Sequence, residues 1–380
     1  MDLELSEDQE FFRETTRKFL ESEIPVERVR ELADDPAGFD RDWWRQGAEM
    51  GWTSMLVPEE HGGVSLEGEG LLDLVIVAEE MGRLVTPGPL LPTNVVALAV
   101  SERGTPSQQA ELLGGIVSGD VLATWALEEP NGRWQSDQIS LEARRTKEGY
   151  VLQGIKSPVE AAGQVDHFLV TAMSDSGHIQ FLVPSDAAGL SVTPMETLDL
   201  VRRYGEVQFD EVFVPESSVL GEAGNASSDV ERQLQVAIAL QLAETVGAVD
   251  RVFDLTLEWM FDRHSFGRPL ASYQALKHRV ADMKLYHEAS QAAATAAARA
   301  VQHREVDAPI KVSAAKSYVG DHATFVLQEC VQMHGGLGVT WEYDLHLYLR
   351  RATTNQVHYG TPKDHRERLA RRIGMDEGVA

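Results

Sequence analysis

The chain has 380 residues, of which 43% are hydrophobic and 25% are charged, as in an ordinary folded globular protein. Its formal net charge of −26 argues against a protein that binds a nucleic-acid backbone, because such binding depends on clustered lysines and arginines. The single cysteine, Cys330, excludes an intramolecular disulfide bond and suits a reducing compartment.

No apolar run in the sequence is long enough to span a bilayer. The first four residues, Met1-Asp2-Leu3-Glu4, are acidic, whereas a signal peptide begins with basic residues followed by an apolar run. We therefore expect a cytoplasmic protein with neither a membrane nor a nucleic acid among its partners.

Residues 1–120 predict an N-terminal helical domain. Apolar residues recur at helix spacing between Glu10 and Leu20, with acidic residues in the first turn. Asp40 is suited to cap a following helix. Three further helices are expected over residues 71–81, from Asn94 onward and around Leu112-Leu113.

The hydrophobic period changes near Gly119-Asp120, where short β-branched and aromatic runs replace the helical spacing. Turn-forming Gly, Asp, Pro and Ser residues separate these runs. The strand candidates are residues 121–127, 139–143, 150–155, 167–172, 179–183 and 205–209. They predict a middle antiparallel β domain over residues 121–221.

Residues 222–380 predict a C-terminal long-helix bundle. Apolar residues recur at three- and four-residue steps from Val230 to Val301, except at residues 263–270, where Gly267 and Pro269 explain a break. Helices of this length bury their apolar faces only against other helices. Shorter helices are expected over residues 310–329, 341–351 and 363–372. The predicted fold class is therefore α+β, mostly α.

Four motifs follow one another along the chain. They are Pro58-Glu59-Glu60-His61-Gly62-Gly63; Arg203-Tyr204 with Val207, Phe209, Val212 and Val214-Pro215; Arg263, Phe266, Gly267, Pro269 and Gln274; and Gln332, Gly335, Gly336 and Gly338. In this order they resemble the acyl-CoA dehydrogenase family, and the resemblance covers essentially the whole chain. It implies that family's fold, an FAD cofactor and the α,β-dehydrogenation of a CoA thioester, so we expect a flavoprotein oxidoreductase.

The resemblance implies that FAD lies across a boundary between two subunits. The flavin ring would sit on one sheet domain, and the adenine and pyrophosphate on the neighbour's C-terminal helices. On this chain, the residues that would hold the adenine–pyrophosphate half are Arg263, Ser265, Phe266, Gln274, Gln332, Gly335 and Gly336. Arginine offers several donors to a phosphate, and glycines allow close backbone approach. The alternative is a simple helix break at residues 263–270 and a helix end at Gly335-Gly336.

We predict no metal site in this sequence.

The position of the family's catalytic base carries Tyr359, within His358-Tyr359-Gly360-Thr361, where the family has a glutamate. An ordinary tyrosine pKa near 10 is far above that of a carboxylate, so Tyr359 would need a very large shift to act as a base. The family's second base position falls at Ala237 or Ile238, and neither titrates. Glu244, about two turns further along that helix, is the remaining candidate. We expect no catalytic residue on this chain.

The positions that face the flavin ring in the family have also changed. Glu128 replaces a threonine that bonds to the ring, Pro158 replaces a covering tryptophan, and Glu160 replaces a threonine beside the reactive nitrogen. Reduction makes the ring anionic, and two carboxylates would repel it by several kcal/mol at low effective dielectric. We therefore expect this chain's own flavin site to be lost.

One hypothesis covers both sets of changes. The chain resembles the non-catalytic partner subunit of actinobacterial heterotetrameric (α2β2) acyl-CoA dehydrogenases, which degrade bulky CoA thioesters such as steroid side chains in lipid metabolism. Residues 341–351 are similar to that group's ending. A homologous subunit would supply the base and the flavin pocket, and an electron-transfer flavoprotein would accept the electrons. Two alternatives stay open: a self-sufficient homotetramer with Glu244 as a relocated base, and a non-catalytic binding or scaffold protein on the same fold.

Overall fold

The computed structural model describes residues 5–35 and 38–375, so the inference from Met1-Asp2-Leu3-Glu4 lies outside the described residues. The chain forms two compact units. The bundle unit comprises Met1–Arg30, Val75–Thr86 and Ile238–Ala380. The sheet unit comprises Glu31–Leu74 and Pro87–Ala237. The division into domains 1–120, 121–221 and 222–380 stays a prediction.

Helices precede and follow a sheet along the chain, which confirms the predicted order and fold class. The helices are α1 Glu7–Glu23, α2 Val26–Asp34, α3 Arg41–Glu49, α4 Gly70–Leu84, α5 Leu90–Arg103, α6 Pro106–Val117, α7 Ser227–Asp262, α8 Gln274–Gln302, α9 Ala308–His334, α10 Leu345–Val357 and α11 Pro362–Arg372. The strands are β1 Ala123–Ala126, β2 Glu142–Arg145, β3 Gly149–Glu160, β4 His167–Ser174, β5 Gly177–Pro184, β6 Leu190–Met195, β7 Tyr204–Pro215, β8 Val219–Gly224, β9 His264–Ser265 and β10 Arg268–Pro269. In the part of the chain that these elements cover, no helix is long and apolar enough to cross a bilayer.

The helix starts follow from local side-chain chemistry. The Ser6 hydroxyl accepts a hydrogen bond from the Gln9 backbone N–H, and the Gln9 side chain accepts one from the Ser6 N–H, so both otherwise unpaired donors at the start of α1 are satisfied. Asp40 caps α3 as predicted, accepting from the Asp42 N–H at 2.7 Å. Thr361 forms a second reciprocal pair with Asp364 at the start of α11.

The sheet differs from the prediction because it is mixed rather than wholly antiparallel. Its eight strands run in the order β6-β7-β3-β2-β4-β5-β8, and β1 pairs with β4. β1 and β4 are parallel, with Ala123 opposite His167, and β2 also meets β4 in a parallel bridge. Strand pairing joins residues far apart in sequence, so short apolar runs predict the strands but not their direction. The strands β6 and β8 were missed by the sequence pattern.

The predicted helix over residues 341–351 begins later than expected. α9 continues to His334 and is followed by a 3-10 turn, Gly335–Val339. The Tyr343 N–H then bonds to the Thr340 carbonyl in a further turn, and α10 starts only at Leu345. Trp341 therefore stands in a turn outside the helix.

Two glycines bring α4 and α7 into backbone contact in the bundle unit. A Cβ atom on Gly82 would lie 2.0 Å from the Glu244 carbonyl oxygen, and one on Gly247 would lie 2.0 Å from the Glu79 carbonyl oxygen. Real Cβ atoms do not approach so closely, and neither backbone is free to rotate away as a side chain would. The crossing therefore requires glycine on both helices.

We expect Gly247→Ala to lower the free energy of unfolding by about 1–3 kcal/mol, because the added methyl group overpacks this crossing. The matched control is Gly114→Ala in α6, where a Cβ atom meets no described heavy atom within 4 Å. That change should raise stability by up to ~1 kcal/mol, since alanine favours a helix over glycine. Urea denaturation of both variants measures the difference, and equal stabilities would contradict the tight crossing.

Candidate functional site

The residues predicted to hold the adenine–pyrophosphate half of FAD lie at the ends of three helices of the bundle unit. We call this set the helix-end cluster: Arg263, Ser265, Phe266, Gln274, Gln332, Gly335 and Gly336. Two contacts join these helix ends. The Trp259 ring of α7 stacks on the His334 ring of α9 with centroids 5.3 Å apart. Arg279 near the start of α8 pairs with Glu329 near the end of α9. The structure thus brings together residues that are 73 positions apart in sequence, from Arg263 to Gly336 (336 − 263).

The loop between α7 and α8 is a short hairpin that projects its tip. β9 and β10 pair antiparallel. The Tyr273 hydroxyl donates to the Ser265 carbonyl at 2.7 Å, and the Arg268 guanidinium lies 3.9 Å from the Tyr273 ring centre. At the tip, Phe266 has φ +50° and its side chain is 97% exposed. A left-handed backbone is uncommon for a bulky residue, so the hairpin contacts hold this ring outward.

The polar members of the cluster face solvent. Arg263, Gln274 and Gln332 are all exposed. The Arg263 guanidinium lies 5.7 Å from the centre of the Trp259 ring, and among the described residues no carboxylate lies within 4 Å of it. Its donors therefore remain available to a phosphate or carboxylate from outside the chain.

The two glycines of the cluster differ in what they require. Gly335 ends α9 with φ +60°, a conformation that favours glycine at a helix end. Gly336 does not have a left-handed backbone. A Cβ atom on Gly336 would meet no heavy atom of residues 5–35 and 38–375 within 4 Å. A helix end therefore accounts for Gly335, whereas neither backbone conformation nor packing within this chain accounts for Gly336.

The sheet unit contains Glu128, Pro158 and Glu160, and a buried ion pair lies close to them in sequence. Lys156 Nζ donates to Glu129 Oε1 at 2.8 Å and to the Leu127 carbonyl at 3.0 Å. The Glu129 carboxylate also accepts from the backbone N–H groups of Ser140 and Leu141. Burial lowers the pKa of Lys156 to about 8, although Glu129 opposes this shift. The pair therefore joins β3 to the segments that follow β1 and precede β2.

Glu160 also has a partner, which corrects the sequence-based expectation. Its Oε1 lies 3.3 Å from Arg202 Nε, and both residues are 8% exposed. The predicted repulsion by two uncompensated carboxylates is therefore wrong for Glu160, because Arg202 balances its charge. The cavity beside this pair measures about 10 Å³, which is the space of one water molecule rather than of a ring system. Arg202 was missed because the sequence pattern assigns such a charge to the surface.

Tyr359 occupies a firmly held turn between α10 and α11. Its backbone has φ +58° and its side chain is 8% exposed. Lys316 Nζ donates to the His358 carbonyl at 2.9 Å, and His365 Nε2 donates to the Tyr359 carbonyl at 2.9 Å. Burial lowers the pKa of His365 to about 3, so its imidazole is neutral. The turn thus holds the phenol of Tyr359 in a buried position, and its replacement of a catalytic glutamate stays a prediction.

Glu244 is a structural residue in this arrangement. Arg351 Nη1 donates to its Oε1 at 2.7 Å, and Asn355 Nδ2 donates to its Oε2 at 2.7 Å. Arg351 has no exposed surface, and Glu244 is 4% exposed. Both carboxylate oxygens thus accept hydrogen bonds from α10, which holds Glu244 as the buried counter-charge of Arg351. No described group of histidine, cysteine, aspartate and glutamate side chains is arranged to hold a metal ion.

Comparison with known proteins identifies similar chains over the whole length. Residues 6–120 match the model of the acyl-CoA dehydrogenase N-terminal domain, and residues 229–374 match that of the C-terminal domain. Acyl-CoA dehydrogenase IpdE2 of Mycolicibacterium smegmatis is 30% identical over 368 residues, which cover 96% of this chain and 98% of the relative.

Two solved structures are similar in both sequence and fold. A chain of a variant of the steroid ACAD Tcur3481-Tcur3483 is 29% identical, with a TM-score of 0.87 and coverage of 98% of this chain and 99% of that chain. A chain of the ChsE4-ChsE5 complex from Mycobacterium tuberculosis is 27% identical, with a TM-score of 0.89 and full coverage of both chains.

We expect Glu244→Gln to lower the free energy of unfolding by about 3–5 kcal/mol, because it leaves Arg351 buried without this counter-charge. Glu211→Gln is the matched control, since Glu211 and its partner Arg144 are 64% and 53% exposed. The control should change stability by less than ~1 kcal/mol. Urea unfolding followed by circular dichroism measures both. A Glu244→Gln variant as stable as the control would refute the structural role.

Proposed function

The chain belongs to the acyl-CoA dehydrogenase family, and we propose that it is the non-catalytic partner subunit of an FAD-dependent heteromeric member of that family. In this proposal a homologous chain supplies the flavin pocket and the glutamate base. This chain supplies the adenine–pyrophosphate half of each FAD site. The complex introduces a double bond between the α and β carbons of a CoA thioester.

One contrast within the molecule carries the proposal. The helix-end cluster is open, with exposed donors and a glycine, Gly336, that this chain's own packing does not require. By contrast, the flavin-side position Glu160 is closed by its ion pair with Arg202. A chain that forms a homo-oligomer would have to provide both the adenine–pyrophosphate half and the flavin half of the FAD site.

FAD is the cofactor that family membership supports, and the helix-end cluster fits its diphosphate. When bound, FAD would supply the hydride acceptor for the thioester, and a base would remove the α proton. Arg263 would neutralise pyrophosphate charge, and Gln274 and Gln332 would donate to phosphate or adenine acceptors. Gly335 and Gly336 would let the backbone approach the dinucleotide, as glycines do in other phosphate-binding loops.

The missing base supports the same division of labour. Tyr359 is a buried phenol in a turn that Lys316 and His365 hold in place. Glu244, the remaining candidate, is engaged by Arg351 and Asn355. These contacts count against a self-sufficient homotetramer that uses Glu244, so we place the base on the homologous chain.

The solved relatives support the partner and the substrate class in this proposal. Their names describe two-component proteins, Tcur3481-Tcur3483 and the ChsE4-ChsE5 complex, and the first is a steroid ACAD. We therefore propose that this chain forms an α2β2 assembly with a homologous subunit. We also propose that the substrate carries a bulky acyl group such as a steroid side chain. An electron-transfer flavoprotein as acceptor and a cytoplasmic location, which the single cysteine favours, complete the proposal.

We expect the chain purified alone to contain no stoichiometric FAD, because the ion pair with Arg202 closes its own flavin-side position Glu160. Co-expression with the homologous dehydrogenase chain should yield a complex with one FAD per pair of unlike chains. Flavin absorbance per chain and the mass of the assembly provide the measurement. One FAD per chain in a homo-oligomer, with acyl-CoA oxidation, would refute the half-site proposal. Failure to recover any flavin or homologous partner would favour the scaffold alternative.

We expect Gly336→Val to reduce the FAD content of that complex at least tenfold without lowering the chain's stability. The added side chain projects into space that no described residue fills, so only an outside ligand is displaced. Gly163→Val is the control, since Gly163 is exposed and also meets no described atom within 4 Å. Unchanged flavin content in Gly336→Val would show that the dinucleotide does not approach this loop.

A further inference from the structure

The proposed function gives no role to residues 341–351. Different residues of this segment face the solvent, the protein core and a cavity. Trp341 is 66% exposed and stacks on His346, with ring centroids 4.6 Å apart. Arg351 points into the core and pairs with Glu244. Between these two, Tyr343, Asp344, Leu345 and Tyr348 line a cavity of the bundle unit. A segment that serves only as an amphipathic helix would not need this third face.

The cavity, which we call the α7–α10 cavity, has a volume of about 390 Å³. That volume lies within the ~300–1,000 Å³ range of small-molecule sites. Its apolar wall consists of Pro25, Val26, Leu84, Leu255 and Leu345. Its inner polar residues are Arg251, Tyr343 and Tyr348. An apolar wall with a few convergent polar groups is the usual composition of a ligand site.

Arg251 is the charged group inside this cavity. Its side chain is half-buried, and among residues 5–35 and 38–375 no carboxylate lies within 4 Å of it. The Tyr348 hydroxyl, which lines the same cavity, donates to the Arg83 carbonyl at 2.9 Å. A guanidinium carries five hydrogen-bond donors, so Arg251 can donate to a ligand that enters the cavity it lines.

Tyr343 adds a second donor to the same cavity, which it lines together with Arg251. No hydrogen bond from its hydroxyl is made to the part of the chain that the structure describes, and burial raises the pKa of the phenol, which keeps it protonated. A guanidinium fork and a phenol O–H together match the two oxygens of a carboxylate.

The acidic residues around the cavity do not remove this preference. Glu21 and Glu27 line its rim but are exposed, so water and salt screen their charges. Asp344 is already paired with Arg30, whose Nε lies 2.6 Å from its Oδ1. Glu258 lies one turn of α7 beyond Leu255. Its charge raises the pKa of Tyr343, and it forms no ion pair with Arg251 among the described residues. The unpaired charge inside the cavity is therefore positive.

We propose that the α7–α10 cavity binds a small carboxylate with an apolar body, such as a medium-chain carboxylic acid. The carboxylate would accept from Arg251 and Tyr343, and the hydrocarbon would contact Leu84, Leu255 and Leu345. This site is separate from the helix-end cluster, because none of its lining residues belongs to that cluster. It would make the chain a receptor for free acid.

Calorimetric titration of the full chain with octanoate tests this proposal, with 1-octanol and octylamine as probes of equal length. We expect saturable binding of one octanoate per chain and at least tenfold weaker binding of both other probes. Arg251→Gln should weaken octanoate binding at least tenfold. Arg144→Gln, which removes an exposed guanidinium of the sheet unit, should leave it unchanged.

A second variant keeps the test decisive if Arg251→Gln does not fold. Leu255→Trp fills the cavity while retaining Arg251, and it should also abolish octanoate binding. Absence of saturable octanoate binding at millimolar concentration, or equal binding in Arg251→Gln, would overturn the proposal. Tighter binding of octylamine would likewise overturn it, because the rim acids would then define the site. FAD content of the two-chain complex is a separate readout and should not change in any of these variants.

Discussion

Arg351 is a guanidinium with no exposed surface, and the need to neutralise it organises the bundle unit. Glu244 of α7 supplies the charge, and the second oxygen of the same carboxylate accepts from Asn355. Lys316 of α9 donates to the Asn355 and His358 carbonyls, so the network continues into the turn that carries Tyr359. Removing one member of a buried ion pair strongly lowers the stability of the protein, because the other charge stays buried without a partner. One continuous set of contacts thus joins α7, α9 and α10 to the turn that precedes α11.

The parts of the fold that depend on local pattern could be predicted from the sequence. Apolar spacing predicted α7 and α8, and Gly267 and Pro269 predicted the break between them. The parallel pairing of β1 with β4 could not be predicted, because it joins residues that no local pattern relates. Arg202 and Arg351 were missed for a similar reason. A charged side chain in an amphipathic segment is predicted to be solvent-exposed. Only the tertiary structure shows that it is buried and pairs with a carboxylate that is distant in sequence.

The candidate site was predictable to the extent that short motifs specify it. The motif residues from Arg263 to Gly336 lie together at one end of three helices because Trp259 and His334 stack and Arg279 and Glu329 pair. These joining contacts lie outside the motifs. Sequence alone also could not separate Gly335, which the helix end requires, from Gly336, which it does not. That distinction needs coordinates, since it depends on what surrounds each Cβ position.

The pairing of Glu160 with Arg202 limits the substitutions that either position can accept. Both side chains are almost fully buried, so replacing either one alone leaves the other charge away from water. Replacing both with neutral residues of similar volume removes the two charges together and avoids that cost. The two positions are therefore energetically coupled, and we expect their substitutions to be correlated rather than independent.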